Sequence, residues 1–306
     1  MVFVTHNDVP EVGLYLLREK CEVTICETNT TEEILIKIKG VDGIFWANPD
    51  RLDAAALDAA GPQLKSLSTM SVGIDYVDLA EIKRRKIPLG YTPAVLNDAV
   101  ADVGVGLALA ACRSFHEGRK KIESSQWEKQ IRDSTVGIVG FGGIGQTVTK
   151  RLSGFDVGLF LYCGHNKKPE ADRIGAQFVP FLELVEKSNF IFITCPLTPE
   201  TNKMFNAEVF ARMKSTSVLV NIARGDVVDQ DALYDALKNN KIFAAGLDVT
   251  SPEPLPADHP LMTLPNCVIT PHLGSSTSRT TDDMAKVAAL NVLAGLAEEP
   301  MHSPVH

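Results

Sequence analysis

Three polar residues in the second half of the chain could perform acid–base chemistry on a bound anion. Arg224 follows the apolar run 217–223, His272 closes the run 267–271, and Glu253 lies in a proline-rich turn between them. Parallel strands present their carboxyl ends at one edge of a sheet, so the three side chains could meet there. Taken singly, each is better explained as a surface ion-pair partner, a turn acid or a capping histidine. The combination, rather than any one residue, indicates a site.

A glycine-rich turn upstream of these residues has the pattern of a phosphate-binding loop. Residues 136–148 read VGIVGFGGIGQTV, which is an apolar strand, the pattern G-x-G-x-x-G and the start of a helix. Gly140 permits the tight turn, Gly142 lets the backbone approach a pyrophosphate, and Gly145 lets helix and strand pack closely. The helix N-terminus offers free N–H groups to the phosphates. In this context we predict dinucleotide binding rather than merely a tight turn.

The next predicted strand, 158–163, ends without the acidic residue that grips the adenosine ribose of NAD. The residues that follow are small, neutral or basic, and would accept a 2′-phosphate. They are Gly164, His165, Asn166, Lys167 and Lys168. We therefore predict a preference for NADPH, with NADH possible. The alternative is an exposed polar turn with incidental lysines.

Beside a nicotinamide site, the three polar residues suit the reduction of a 2-keto acid. Arg224 would hold the substrate carboxylate in a forked geometry and polarise the carbonyl. His272 would give a proton to the carbonyl oxygen as hydride arrives at carbon, since histidine titrates near neutrality. Glu253 would orient the imidazole through its other nitrogen and keep it more readily protonated.

Short apolar runs alternate with helical stretches, which is typical of βαβ units and of parallel sheets covered on both faces. We predict an α/β fold with two doubly wound parallel sheets. Two long helices, 96–123 and 277–296, connect the parts, and the first begins at the capping residues Asn97 and Asp98. The predicted strands are residues 2–6, 22–26, 43–47, 135–140, 158–163, 190–195, 217–223 and 267–271.

The same pattern predicts a discontinuous domain. Residues 1–96, with the returning chain end 271–306, would form one α/β unit, and residues 97–270 an inserted second unit that carries the glycine turn.

The composition excludes several classes of protein. With 306 residues, 45% of them hydrophobic, the chain can bury a full core. The formal net charge of −8 argues against a nucleic-acid or anionic-membrane partner. The six cysteines form no C-x-x-C pair and no zinc spacing, so we predict reduced, buried thiols and no metal. The chain opens on a strand with no leader, so we expect a cytoplasmic protein.

Further motifs accompany the glycine turn. They are SVGID at 71–75, GYTPAVL at 90–96, NIARGD at 221–226, GLDV at 246–249 with the segment through 256, and PHLGS at 271–275. In this order, across nearly the whole chain, they make the sequence resemble the D-isomer-specific 2-hydroxyacid dehydrogenases, most closely the animal-type branch that reduces glyoxylate and hydroxypyruvate.

The resemblance implies an NADPH-preferring reductase that converts glyoxylate to glycolate and hydroxypyruvate to D-glycerate. His272 would be the proton donor, Glu253 its partner and Arg224 the substrate clamp. It also implies a homodimer and two domains: a discontinuous, flavodoxin-like substrate (catalytic) domain of residues 1–96 and 271–306, and a Rossmann dinucleotide-binding domain of residues 97–270. The implied substrate contacts are Val72, Gly73, Asp248, Gly274 and Ser275, besides Arg224 and His272. The implied cofactor contacts are Gly142, Gly143 and Ile144 at the pyrophosphate, His165 to Lys168 at the 2′-phosphate, and Pro196, Ile222 and Gly274 farther along.

Two departures from the family pattern stand out. Gly143 replaces a larger residue, which changes a pyrophosphate contact. After Trp127 only residues 128–134 precede the strand of the glycine turn, where relatives carry a longer stretch rich in Trp, Pro and Gly. In the glyoxylate/hydroxypyruvate enzymes that stretch helps to form the dimer, so dimer contacts and substrate selectivity are the features that this departure affects.

Other functions remain open at this stage. A dehydrogenase of another D-2-hydroxy acid, such as 3-phosphoglycerate, is a sister possibility, although we expect no regulatory domain after the core. A formate dehydrogenase is disfavoured, because Glu253 stands where that branch is expected to carry an uncharged amide. A dinucleotide-sensing corepressor or scaffold could use the same fold and retain the three polar residues.

Overall fold

The molecule divides into two compact units. The computed structural model describes residues 1–306 apart from 7, 29, 48, 49, 116–128 and 306. One unit comprises Met1–Leu96 with Ser276–His306, and the other comprises Asn97–Ser275. The second boundary follows Ser275 rather than residue 270, because backbone N–H groups of the 271–275 segment bond to Asp248 of the second unit. The assignment of substrate and dinucleotide roles to two domains stays a prediction.

Strands and helices alternate along both units. The strands are β1 Val2–Val4, β2 Val23–Ile25, β3 Gly43–Trp46, β4 Ser66–Thr69, β5 Leu89–Gly90, β6 Thr135–Val139, β7 Leu159–Cys163, β8 Gln177–Phe178, β9 Phe190–Ile193, β10 Val218–Asn221, β11 Ala244–Leu247 and β12 Cys267–Ile269. The α-helices are α1 Glu11–Arg18, α2 Thr31–Lys37, α3 Ala54–Ala60, α4 Leu79–Arg85, α5 Asn97–Cys112, α6 Gly143–Leu152, α7 Phe181–Lys187, α8 Ala207–Arg212, α9 Gln230–Lys238 and α10 Ser278–Leu296.

The first unit is built on a five-stranded parallel sheet in the order β2-β1-β3-β4-β5. Alternate residues of β3 enter two different cores, because side chains alternate across a strand. Ile44 and Trp46 pack with Phe3 on one face, and Phe45 packs with Val4 and helix α10 on the other. Helices therefore cover both faces of the sheet, as the unbroken apolar runs of the sequence predict.

The second unit is built on a seven-stranded sheet of parallel pairs in the order β12-β11-β10-β9-β6-β7-β8. The order runs one way from β6 through β7 and the other way from β6 through β9. Ligands of open α/β sheets bind at such a reversal, beyond the carboxyl ends of the strands. The glycine turn follows β6 directly, so it lies at this position. The α/β fold class with two doubly wound parallel sheets is confirmed.

The eight predicted strands are present, and each begins and ends within two residues of its predicted ends. Four short strands were not predicted, namely β4, β5, β8 and β11. Their sequences carry a weak strand signal, since β4 reads SLST and β11 reads AAGL. Both are fully buried, so their neighbours in the sheet, rather than their own composition, make them strands.

Both long predicted helices are present, but only the second ends where the sequence predicted. Helix α10, Ser278–Leu296, agrees with the prediction, and Thr277 caps it by accepting a hydrogen bond from the Thr280 N–H. Helix α5 begins at Asn97 and ends at Cys112. The predicted helix 96–123 was too long, because residues 113–115 lie outside α5 and Ser114 adopts φ 46°, which is not a helical conformation. Residues 116–123, like residues 127 and 128, lie outside the described residues.

The six cysteines are free, and five of them are buried. Burial raises the pKa of the Cys163 thiol to about 12, and that of Cys195 to about 11, so these thiols stay protonated. No helix in the described ranges has the length and apolar character needed to cross a membrane.

Candidate active site

The glycine turn between β6 and α6 has the geometry of a pyrophosphate cradle. Gly140 adopts φ 91°, a left-handed conformation that favours glycine. A Cβ on Gly145 would overlap the carbonyl oxygen of Gly140 and lie 2.9 Å from Oγ1 of Thr194, so only glycine fits between helix and strand. Gly142 precedes the helix and faces open space. The residues therefore fit a dinucleotide whose phosphates approach the backbone at Gly142 and the N-terminus of α6.

The end of β7 bears no carboxylate. Residues 164–168 are exposed, and the Lys168 N–H donates a hydrogen bond to the buried Tyr162 hydroxyl at 2.9 Å, which fixes the path of the loop. Glu200 lies close enough to the loop for its charge to interact with that of His165. The loop thus offers two lysines and a histidine where an NAD-selective site has an acid.

Arg224 is positioned by the end of β10 and by a close backbone approach. The buried Asn221 side chain accepts a hydrogen bond from the Ala223 N–H and donates one to the Arg224 carbonyl at 2.8 Å. Nη1 of Arg224 also donates to the Ala223 carbonyl at 2.7 Å. A Cβ on Gly225 would overlap the backbone of Thr250, so glycine alone lets the Arg224 loop contact the loop that carries the predicted carboxylate.

Glu253 is held by hydrogen bonds on both sides of its own loop. Its Oε1 accepts a hydrogen bond from the Thr250 N–H at 3.0 Å. The Gln230 side chain, at the start of α9, accepts from the Ser251 N–H at 2.8 Å and donates to the Ser251 carbonyl. The Thr250 hydroxyl donates to the Pro252 carbonyl at 2.9 Å. These bonds restrict where the Glu253 carboxylate can point.

His272 lies in a strained backbone conformation that directs its ring to Glu253. Its φ is 54°, which is uncommon for a residue with a side chain and costs of order 1 kcal/mol. Its N–H donates to the Asp248 carbonyl at 2.8 Å, and its Nδ1 lies 3.1 Å from Oε2 of Glu253. The side chains of His272 and Glu253 are 46% and 39% exposed, so a small ligand can reach both.

The charges of the site shift both partners of this pair. The hydrogen bond with Glu253 raises the pKa of His272; burial opposes it, the charges of Glu253 and Asp248 add to it, and Arg224 lowers it. Burial raises the pKa of Glu253. However, hydrogen bonds from His272 and the Thr250 N–H, with the charges of His272 and Arg224, outweigh burial, so this pKa lies below its ordinary value. The pair therefore favours an imidazolium beside a carboxylate.

Asp248 is 2% exposed and its carboxylate is occupied within the protein. Oδ1 accepts hydrogen bonds from the Thr270 hydroxyl and the Leu273 N–H, and Oδ2 accepts from the Gly274 N–H at 2.8 Å. These bonds hold the segment on both sides of His272. A direct substrate contact of Asp248, Gly274 or Ser275 stays a prediction.

The other predicted contact residues lie at different places in the two units. In the first unit Val72 and Gly73 lie in the half-buried loop after β4, where the Ser71 hydroxyl donates to the Gly73 carbonyl at 2.7 Å. In the second unit Ile222 is buried, and Pro196 is exposed with its carbonyl accepting from the Thr201 hydroxyl. The roles of these residues stay predictions.

Within the second unit the structure brings Arg224, Glu253, His272 and Asp248 together. Asn221, Gln230 and Gly225, which position Arg224 and Glu253, were not predicted to have a role. Asn221 and Gly225 belong to the quoted NIARGD motif, so the motif signalled them without showing what they do. In the described part of the chain, no three His, Cys, Asp or Glu side chains converge in a way that could hold a metal ion.

Comparison with known proteins indicates the same family as the sequence motifs do. A family model for the D-isomer specific 2-hydroxyacid dehydrogenase, NAD binding domain, matches residues 105–274. The human glyoxylate reductase/hydroxypyruvate reductase is 46% identical over 317 aligned positions, which cover 99% of this chain and 96% of that protein.

Two solved structures extend the likeness to the fold. A protein of Thermus thermophilus is 38% identical with a TM-score of 0.89, covering 100% of this chain and 99% of the other. An NADPH-dependent glyoxylate/hydroxypyruvate reductase of Sinorhizobium meliloti, solved with NADP and malonate, is 28% identical with a TM-score of 0.85, covering 99% and 96%.

The sheet reversal, the glycine turn and these matches define an oxidoreductase that uses a nicotinamide dinucleotide. The chain belongs to the family of D-isomer-specific 2-hydroxyacid dehydrogenases.

Proposed function

We propose that the protein is an NADPH-preferring reductase of small 2-keto acids, which converts glyoxylate to glycolate and hydroxypyruvate to D-glycerate. The observation that carries the proposal is the 3.1 Å approach of Nδ1 of His272 to Oε2 of Glu253, within reach of the charge of Arg224. The choice of substrates is supported by a human relative, 46% identical, that is named for these two reductase activities.

His272 is the proposed proton donor. Because Glu253 engages Nδ1, the proton for the carbonyl oxygen of the substrate leaves from Nε2. The raised pKa of His272 favours the protonated ring, and the lowered pKa of Glu253 favours the negatively charged form of its partner. Glu253 therefore both orients the ring and stabilises its charged form before the proton is transferred.

Arg224 is the proposed substrate clamp. A guanidinium is permanently charged and binds a carboxylate through two parallel hydrogen bonds, which fixes the orientation of the neighbouring carbonyl. The hydrogen bond from Asn221 holds the Arg224 carbonyl, and the bond from Nη1 to the Ala223 carbonyl holds one end of the guanidinium. Substrate contacts at the backbone of Val72 and Gly73 belong to the same proposal and rest on the family resemblance.

When bound, the nicotinamide supplies the hydride. Residues of this chain would bind the rest of the dinucleotide: Gly142, Gly143 and Ile144 would hold the pyrophosphate, and His165 to Lys168 the adenosine 2′-phosphate. The preference for NADPH is supported by the exposed basic loop after β7, which contains two lysines and no acid. The reductase of Sinorhizobium meliloti, described as NADPH-dependent, adds support from a related fold.

A single assay tests the whole proposal. Purified protein is given NADPH or NADH with glyoxylate, hydroxypyruvate, pyruvate or 3-phosphohydroxypyruvate, and oxidation of the nucleotide is followed. We expect the highest kcat/KM with NADPH and with hydroxypyruvate or glyoxylate. A clear advantage of NADH contradicts the cofactor preference, and 3-phosphohydroxypyruvate as the best substrate contradicts the substrate assignment. Nucleotide binding without turnover of any keto acid favours a sensing role instead.

We also propose a homodimer, on the basis of the family resemblance alone. Light scattering coupled to size-exclusion chromatography measures the mass directly, and a monomer at micromolar concentration contradicts the proposal.

A further inference from the structure

A side chain at Gly143 would have to displace the end of the Asn97 side chain, which occupies that space. A Cβ on Gly143 would overlap Nδ2 of Asn97 and lie 3.1 Å from its Cγ. At the preceding position, Gly142, a Cβ would meet nothing within 4 Å. The glycine that departs from the family pattern is thus explained by a tertiary contact, in which the first residue of α5 places its carboxamide beside the first residue of α6.

The Asn97 carboxamide is half-buried, and no hydrogen bond to it is found among the described residues. The sequence suggested a helix cap at Asn97 and Asp98, but neither side chain caps α5. Asp98 instead accepts a hydrogen bond from Nη2 of Arg151. A half-buried amide donor without a protein acceptor is available to a ligand, since buried polar groups are otherwise almost always paired.

Helix α5 is tied to α6 in a way that fixes where Asn97 lies. Arg151, near the end of α6, donates to Asp98 at 2.8 Å and to Asp102 at 2.6 Å. These two acids lie one turn apart on α5, so one guanidinium holds both. Both helices belong to a single unit, so the start of α5 lies beside the start of α6.

The space beside Gly143 is where the proposed cofactor places negative charge. The first helical hydrogen bond of α6 runs from the Gln146 N–H to the Gly142 carbonyl at 2.9 Å. The N–H groups of Gly143, Ile144 and Gly145 consequently have no acceptor inside the helix and can bind phosphate oxygens. A carboxamide N–H2 at the same point adds a side-chain donor to this set of backbone donors.

We propose that Asn97 binds the pyrophosphate of the nicotinamide dinucleotide through Nδ2, and that Gly143 is glycine in order to admit this side chain. The inference rests on the proposed function, because it concerns the same dinucleotide site. Asn97 replaces a contact that a larger residue at position 143 would make, and supplies it from a neighbouring helix.

Equilibrium binding of NADPH, followed by its fluorescence, tests the pairing through a double-mutant cycle. Asn97→Ala removes the donor, and we expect affinity about tenfold to a hundredfold weaker, as for a hydrogen bond to a charged acceptor. Gly143→Ala keeps Asn97, but its methyl group displaces the carboxamide, so a similar loss is expected. The double variant should bind no more weakly than the weaker single variant, because both changes remove one contact.

A further variant separates binding from packing. Asn97→Asp keeps the size of the side chain but puts a negative charge beside the pyrophosphate, so it should bind NADPH more weakly than Asn97→Ala. Asn239→Ala is the control, since that exposed amide donates only to the Asp235 carbonyl of its own helix.

The outcomes are distinguishable. Wild-type affinity in Asn97→Ala or in Asn97→Asp overturns the inference and leaves the proposed function intact. Additive losses in the double variant overturn the pairing of Asn97 with Gly143. Wild-type protein that binds neither NADPH nor NADH overturns the inference together with the proposed function.

Discussion

Nδ1 of His272 lies 3.1 Å from Oε2 of Glu253, which leaves Nε2 as the ring nitrogen that can deliver a proton. The two residues are 19 positions apart and come from two different loops of one sheet edge. Asp248 bonds the backbone of one loop and Gln230 that of the other, so the pair is held from both sides. Most of the expected behaviour of the enzyme follows from this contact.

Replacing His272 tests the proton donor directly. We expect His272→Ala to lower kcat by about 10² to 10⁴, the usual contribution of a positioned general acid. Steady-state reduction of hydroxypyruvate by NADPH gives the measurement. His302→Ala, at an exposed histidine near the chain end, should leave kcat unchanged. A near-normal kcat in His272→Ala would rule out the proposed role.

Replacing Glu253 should move the pH dependence of the reaction. Glu253 raises the pKa of His272, and the reduction needs the protonated ring, so wild-type activity persists until pH rises through this raised pKa. In Glu253→Gln the pKa of His272 falls, and the alkaline limb of the kcat/KM profile should move to lower pH. Glu208→Gln, on the surface of α8, should keep the wild-type profile. An alkaline limb that does not move in Glu253→Gln contradicts the assignment.

The same pair should contribute to stability within a window of pH. The raised pKa of His272 gives stability that is present at low pH and lost as pH rises through it. The lowered pKa of Glu253 gives stability that is fully present when the pH lies above the ordinary pKa of a glutamate. This stability is lost as the pH falls through the lowered pKa. The difference in the free energy of unfolding between wild type and Glu253→Gln should therefore be largest between these two pKa values. Urea unfolding across the pH range measures it, and a difference that grows toward either extreme contradicts the linkage.

Replacing Arg224 tests the substrate clamp. Lysine keeps the charge but not the forked geometry, so Arg224→Lys should raise KM for the keto acid by roughly tenfold to a hundredfold. Binding of NADPH should change little. Arg212→Lys is the matched control, because Arg212 forms only an exposed ion pair with Glu186 at 2.8 Å. An Arg224→Lys enzyme with the wild-type KM would contradict the clamp.

An acid placed after β7 should reverse the cofactor preference. A Cβ on Gly164 would meet nothing within 4 Å, so Gly164→Asp is accommodated and supplies the carboxylate that NAD-selective sites carry at this point. We expect the ratio of kcat/KM for NADPH over NADH to fall by about tenfold or more. Gly154→Asp, at another open glycine of the same unit, should keep the wild-type ratio. An unchanged ratio in Gly164→Asp would show that this loop does not select the cofactor.

A buried amide in the first unit should matter for stability alone. Asn291 is fully buried in α10, where Nδ2 donates to the Tyr91 carbonyl at 3.0 Å and Oδ1 accepts from the Ser303 N–H. Asn291→Ala removes both bonds to these half-buried backbone groups and should cost about 1–3 kcal/mol in free energy of unfolding. Asn239→Ala, an exposed amide, should cost less than about 0.5 kcal/mol. Urea unfolding measures the loss of unfolding free energy in each variant, and equal losses in Asn291→Ala and Asn239→Ala would contradict the prediction.

Local sequence patterns predict much of the fold. Apolar runs such as FIFI in β9 and LFLYC in β7 predict buried strands, and the spacing of helices between them predicts parallel sheets. Strand β11 could not be predicted from such a run because its residues are small. A Cβ on Gly246 would lie 2.9 Å from the Cβ of Leu107, so the strand must be smooth where α5 packs on it. Small residues carry almost no strand signal, and only the packing of α5 explains them.

The candidate site divides in the same way. The glycine turn could be predicted from local sequence, because the backbone conformation of the turn itself requires Gly140, Gly142 and Gly145. The polar side chains at the carboxyl ends of strands could be predicted in the same way. Which of those side chains meet became evident only in the folded molecule. The positive φ of His272, the contact of Gly225 with Thr250, and the Asn97 carboxamide beside Gly143 all depend on residues distant in the chain. Local patterns fix conformations within a few residues, whereas a site is fixed by packing between elements, which no single segment encodes.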